Sequence, residues 1–224
     1  MQKLFIVLTF CLMVCGSSQA RSKMNIGIYG DEPDMETVLD APVWKTVKSH
    51  VGFYAPWSGK TANNVFQCYF SDHYFYFRFI IEDSTLLLKK PFTKKLDVTA
   101  EDRAEIFLSA TPDLKQYYCA EMDPQGKVLD YSAQFQRKFN YSWSFETLQL
   151  KTRQTKNGYM VAGRWSLKEW QKLGIHPNHF YMGVFSADFY FPEEVIWFSL
   201  LKVNREKADF HIPVMLFPCR SKVR

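Results

Sequence analysis

Arg103-Ala-Glu-Ile-Phe-Leu-Ser109, followed by Tyr117-Tyr-Cys-Ala-Glu-Met-Asp-Pro-Gln-Gly126, is the stretch on which the fold turns. Successive side chains of a strand point to opposite faces, so Ala104, Ile106 and Leu108 fall on one side, and Arg103, Glu105 and Phe107 on the other. The first face is core, and the second is expected to be an open face that carries chemistry. Asp123-Pro-Gln-Gly126 is a turn signal, because proline pre-sets φ and glycine accepts a positive φ. Lys127 to Phe135 should therefore fold back as the hairpin partner.

Outward from this centre the same alternation recurs. Asn64 to Phe70 and His73 to Glu82 read as a tight hairpin, with Ser84 to Ala100 a long loop before the central strand. Leu148 to Arg153, Tyr159 to Trp165 after the Asn157-Gly158 turn, Phe180 to Phe191 and Val195 to Leu200 are further strands, and Val214 to Phe217 is a last apolar run. One helix is expected at 167–173, with Ser166 and Glu169 as a capping box and Gly174 as the stop. Asn25 to Val47 reads as mostly irregular. Eight to ten short strands predict an all-β fold, an antiparallel two-sheet β-sandwich of jelly-roll type with one short helix.

Residues 1–20 have the pattern of a cleaved signal peptide: Lys3, the apolar run Leu4 to Val14, then Ser18-Gln-Ala20. Residues 21–224 are expected to form a single domain, secreted or periplasmic. Leu12-Met-Val-Cys15 leaves open a lipid anchor on Cys15 at the cell envelope. Aromatic residues make up 17% of the chain, with 20 Phe and 12 Tyr, which favours sheets and aromatic-lined surfaces. A formal charge of +5 is too mild to argue for nucleic acid. Cys68, Cys119 and Cys219 match no zinc or redox spacing and read as buried thiols, although export permits one disulfide. The oligomeric state is not legible.

No nucleophile elbow, phosphate loop or dinucleotide fingerprint occurs, and no metal ligand set or cofactor is indicated by the five histidines. Glu105 and Glu121 form the best acidic pair. Three readings stand for them: polar ligand binding, an ion pair with Arg103, or the paired carboxylates of a glycoside hydrolase. The six tryptophans offer stacking platforms for sugar rings, against a background of ordinary core packing.

At this point the chain resembles a known family. Glu105-Ile-Phe-Leu108, Tyr117 to Gly126, Gly158-Tyr-Met-Val161, Phe185-Ser-Ala-Asp-Phe189, Ile196-Trp-Phe198 and Asp209-Phe-His-Ile-Pro213 occur in the order seen in carbohydrate-binding module family 9-like domains of secreted bacterial proteins. The resemblance implies a β-sandwich, and a non-catalytic carbohydrate-binding role in extracytoplasmic polysaccharide binding or degradation. In sugar-binding members two tryptophans clamp a ring while an acid and an arginine hold its hydroxyls. By motif the acid is Glu105, Glu121 stands at the arginine position, Thr99 lies near one tryptophan position and Phe210 occupies the other. The expected ligand residues are Glu105, Glu121, Phe210, Trp197 and Arg103, with a glycan as partner. The alternatives are a hydrolase using Glu105 and Glu121, and a haem-binding electron-transfer sandwich with Met122 or His211 as axial ligand.

Overall fold

The computed structural model describes residues 23–222; the expected signal peptide and Cys15 lie outside them. Thirteen strands are found among the described residues. The first four are β1 (Met24–Ile28), β2 (Ser49–Tyr54), β3 (Thr61–Phe70) and β4 (Tyr74–Glu82). The central group is β5 (Arg103–Ser109), β6 (Tyr117–Met122), β7 (Val128–Gln134) and β8 (Lys138–Asn140). Then follow β9 (Gln149–Thr155), β10 (Gly158–Ser166), β11 (Phe180–Phe191), β12 (Glu194–Ser199) and β13 (Phe217–Ser221), with helix α1 (Leu167–Lys172) after β10.

The strands form two layers, β9-β10-β4-β3-β2 and β8-β7-β6-β5-β11-β12. Period-two alternation makes the core between them: β4 turns Phe75, Phe77, Phe79 and Ile81 inward, and β5 opposes them with Ala104, Ile106 and Leu108. Two seams join the layers along one edge, the one away from β8 and β9. Tyr54 of β2 pairs with Ser199 of β12, and β1 lies parallel to both β3 and β13 while β13 pairs with β11. The sandwich is thus antiparallel except at this seam, and the short seam strands raise the count above the expected eight to ten. β1 and two 3₁₀ turns, Val38–Asp40 and Pro42–Lys45, replace the irregular entry expected from Asn25 to Val47.

Both outer faces are covered too. Val38, Val43 and Trp44 lie over Tyr69 and Tyr76 on the outside of the first layer. On the second layer Phe210, Met215 and Leu216, from the connection between β12 and β13, pack on Phe107, Tyr117 and Phe185. The face of Arg103, Glu105 and Phe107 is therefore not the open surface expected from sequence. Irregular segments carry no periodicity, so their power to bury a polar strand face is invisible to pattern reading.

The predicted α1 forms, and Gly174 ends it with φ +74°. Ser166 Oγ caps it by accepting from the Lys168 N–H at 3.2 Å. The capping box does not close. The buried Glu169 carboxylate instead accepts from the Glu146 and Thr147 N–H groups at 2.6 and 3.0 Å, pinning the chain ahead of β9. Cys68, Cys119 and Cys219 are buried free thiols.

Candidate functional site

β5 and β6 are in register so that Glu105 lies directly opposite Glu121. Arg103, two residues along the same face, stands between the two carboxylates. Its Nε donates to Glu121 Oε2 at 2.8 Å and lies 2.9 Å from Glu105 Oε1, while Nη1 donates to the carbonyls of Thr99 and Glu101 at 3.2 and 3.1 Å. Nε carries a single hydrogen, so Glu121 takes the hydrogen bond and Glu105 holds mainly a Coulombic contact. Tyr131 of β7 donates from its hydroxyl to Glu121 Oε1 at 2.8 Å.

All three charged side chains are buried, at 6%, 2% and 5% exposure for Arg103, Glu105 and Glu121. Two carboxylates share one guanidinium, so the site cannot keep both ionised without cost. The cost falls on Glu105. Burial first, and then the Glu121 charge, push its pKa up to about 8 against the pull of Arg103. At neutral pH Glu105 is therefore mostly a carboxylic acid, able to donate as well as accept.

These groups form one wall of a cavity of about 200 Å³. Trp197, Phe210, Tyr131, Phe139 and Tyr141 supply aromatic lining, and Arg137, Asp209 and His211 close one side. Arg137 Nη2 donates to Asp209 Oδ1 at 2.8 Å, and the His211 N–H donates to the same oxygen at 2.9 Å. His211 stacks on Phe107 with ring centres 4.9 Å apart and bonds through Nδ1 to the Tyr117 hydroxyl at 3.0 Å. Burial and the nearby Arg137 charge lower its pKa to about 3, so it is a neutral packing residue.

The structure thus brings Glu105, Glu121, Arg103, Trp197 and Phe210 together in one lining. It corrects their expected roles in two respects. Phe210 is no free platform: it is 6% exposed and stacks on Phe185 with ring centres 4.0 Å apart and planes 12° apart. Glu105 and Glu121 are held on one wall by a common guanidinium, whereas glycoside hydrolysis needs two carboxyls flanking the bond. The haem ligands fare no better. Met122 points into the packed core between the layers, and His211 is wedged between Phe107 and Phe139 on the other side of the sheet.

Sequence reasoning missed Tyr131, Phe139, Tyr141 and Arg137. Tyr131 had a signal, since Leu129, Tyr131 and Ala133 continue the face of Glu121 across the hairpin turn. Arg137 had none, as it sits at φ +60° in a loop whose geometry no motif announces.

A family model described as "Carbohydrate family 9 binding domain-like" matches residues 36–184, about two thirds of the chain. The chain belongs to this family. Among solved structures, this family 9-like domain is similar to a Bacteroides uniformis protein proposed to bind carbohydrate, with TM-score 0.72 and 9% identity over 91% of this chain and 100% of that one. It is also similar to a family 9 carbohydrate-binding module of Caldicellulosiruptor kristjanssonii. The form with cellotriose gives TM-score 0.58 and 17% identity over 91% and 95% of the two chains, and the form with glucose gives 0.55 and 17% over 91% and 97%. At these identities the likeness shows the sandwich fold. No curated protein matches the chain.

Proposed function

We propose that this family 9-like domain binds carbohydrate without transforming it, and that the cavity around Arg103, Glu105 and Glu121 is where it does so. The observation that carries the reading is the composition of that cavity. It presents hydrogen-bond donors and acceptors of nearly balanced charge against a ring of aromatic side chains. A sugar ring needs this mixture, since its hydroxyls both donate and accept while its C–H faces pack on aromatic rings. Ligand pockets for larger molecules run to roughly 300–1,000 Å³, so a cavity of about 200 Å³ suits one ring, with any further glycan lying outside. Membership of a carbohydrate-binding family and the sugars bound by the Caldicellulosiruptor module support the class of ligand and make neutral glucans the first probes.

In the same reading residues 21–224 are one exported domain, soluble or held at the envelope through Cys15, serving extracytoplasmic polysaccharide binding or degradation. The test is a glycan array probed with the purified chain, followed by a reducing-sugar assay on each hit. Binding without release of reducing ends is expected. Release of new reducing ends would replace the binding reading with hydrolysis, and a featureless array would remove it.

A further inference from the structure

At the seam where β1 lies between β3 and β13, the outward side chains are basic. Met24 and Ile26 of β1 turn into the core, so alternation sends Lys23 and Asn25 outward. Lys48, just ahead of β2, and His50 within it join them around a hollow. Asn25 Oδ1 accepts from Arg220 Nε of β13 at 2.8 Å, and Arg220 borders a second hollow with Asn178, Ser221 and Lys222. The Lys222 N–H donates to the Ile26 carbonyl at 2.6 Å, which holds that residue on the seam. The two hollows thus share one strip. Neither has an aspartate or glutamate in its lining. Lys23, Lys48, Arg220 and Lys222 are exposed, and none of the four enters a salt bridge among the described residues. They account for all but one of the chain's formal excess of +5, so the rest of the sequence is close to neutral. Positive charge concentrated in this way on one edge attracts an extended anionic surface.

We propose that this strip seats the domain on an anionic phospholipid membrane, with the two hollows taking headgroup phosphates. Lysine and arginine within a Debye length of such a surface, about 10 Å at 0.1 M salt, are drawn to it, and the pull fades beyond that distance. The route of the chain favours a membrane over other polyanions. Cleavage after Ala20 would set Arg21 and a new α-amino group just ahead of Lys23, while an anchor on Cys15 would hold Lys23, eight residues on, within at most about 29 Å of the bilayer. One acyl chain alone gives marginal, reversible binding, and a basic patch is the second signal that makes it stable. Seating at this edge also leaves the cavity free. β13 pairs with β11 at Phe180 to Met182 and Arg103 pairs with Ala187, so the strip and the cavity wall stand about 20 Å apart along β11. The inference rests on the envelope reading above and is independent of the sugar site.

The experiment is vesicle co-sedimentation of the chain from Arg21 onward, which holds every described element and carries no lipid. In about 0.1 M salt it should pellet with vesicles of phosphatidylcholine and phosphatidylglycerol, not with phosphatidylcholine alone, and salt of about 1 M should release it. Lys23→Gln, Lys48→Gln, Arg220→Gln and Lys222→Gln combined should weaken binding at least about tenfold at an unchanged melting temperature, since each charge near the surface is worth roughly fivefold. Lys23→Gln with Lys48→Gln alone should lose several-fold, and serves if the larger variant folds poorly. The same charge change made elsewhere on the surface, at Lys60→Gln, Lys90→Gln, Lys138→Gln and Lys156→Gln, should leave binding close to the parent's. Equal losses in the two fourfold variants would reveal a response to net charge alone and overturn the inference. So would no binding to the anionic vesicles, or retention on a polyuronate without binding to vesicles. No glycan is needed for vesicle binding, so this result and that of the array fail separately.

Discussion

Glu105 shows how a single residue changes meaning between sequence and structure. Its face and its neighbour Glu121 follow from alternation, but its charge state does not, because that depends on burial and on one guanidinium shared by two acids. With its pKa near 8 it is mostly neutral at pH 7, so Gln is a close mimic of it. We expect Glu105→Gln to keep glycan affinity within a few-fold at pH 7, and Glu105→Leu to lose tenfold or more, since two hydrogen bonds of about 0.5–1.5 kcal/mol each disappear. Calorimetry against any array hit decides this; a tenfold loss in the Gln variant would mean that the ionised form is the binding one. Arg103 should matter most for folding. Removing one partner of a buried ionic cluster costs roughly 3–5 kcal/mol, so Arg103→Met should lower the urea midpoint sharply, and Glu121→Leu added to it should recover part of the loss. A Met variant as stable as the parent would show that both acids protonate at little expense.

At the scale of elements, the strands with clean alternation were legible: β4, β5, β6, β7, β10 and β11 all lie where period two and the turn residues put them. Others were hidden for physical reasons. β2 is broken by Gly52 at φ +81°, where the register shifts between Val51 and Phe53, so no alternation survives to be read. β1 is short and borrows its partners from distant chain, and the connection between β12 and β13 buries the polar face without any repeating pattern. The Asn157-Gly158 turn was legible and is tightly specified. A Cβ on Gly158 would come 1.9 Å from the Ile81 carbonyl oxygen, and φ there is +140°. Gly158→Ala should therefore cost at least about 2 kcal/mol in urea unfolding, by overpacking and backbone strain together. A neutral effect would mean that the β4–β10 pairing can shift to make room.

At the scale of the whole molecule, buried acids dominate the response to pH. Glu101 is pushed up to about 7 by burial and by the neighbouring Asp123. Asp102, Asp188 and Glu105 rise to about 7, 6 and 8. An acid whose pKa is higher folded than unfolded favours folding fully below its unfolded value, near 4, and that contribution is lost as pH climbs through the folded value. Asp97 runs the other way: its hydrogen bond to Lys89 holds its carboxyl well below the usual range, so its contribution is present above about pH 4 and lost in stronger acid. The melting temperature should thus peak near about pH 5 and fall toward pH 8, whereas a plateau from pH 6 to 8 would show that these acids are ionised in the folded protein. The central claim, that the Arg103 cavity is a carbohydrate site, is tested most directly by titrating the best array glycan into the parent, Glu105→Leu, Trp197→Ala and, as a control on the opposite sheet, Arg164→Ala, each with its melting temperature recorded. The account predicts binding weakened tenfold or more by the two cavity variants and unchanged in Arg164→Ala. Undiminished binding by folded Glu105→Leu and Trp197→Ala would contradict it.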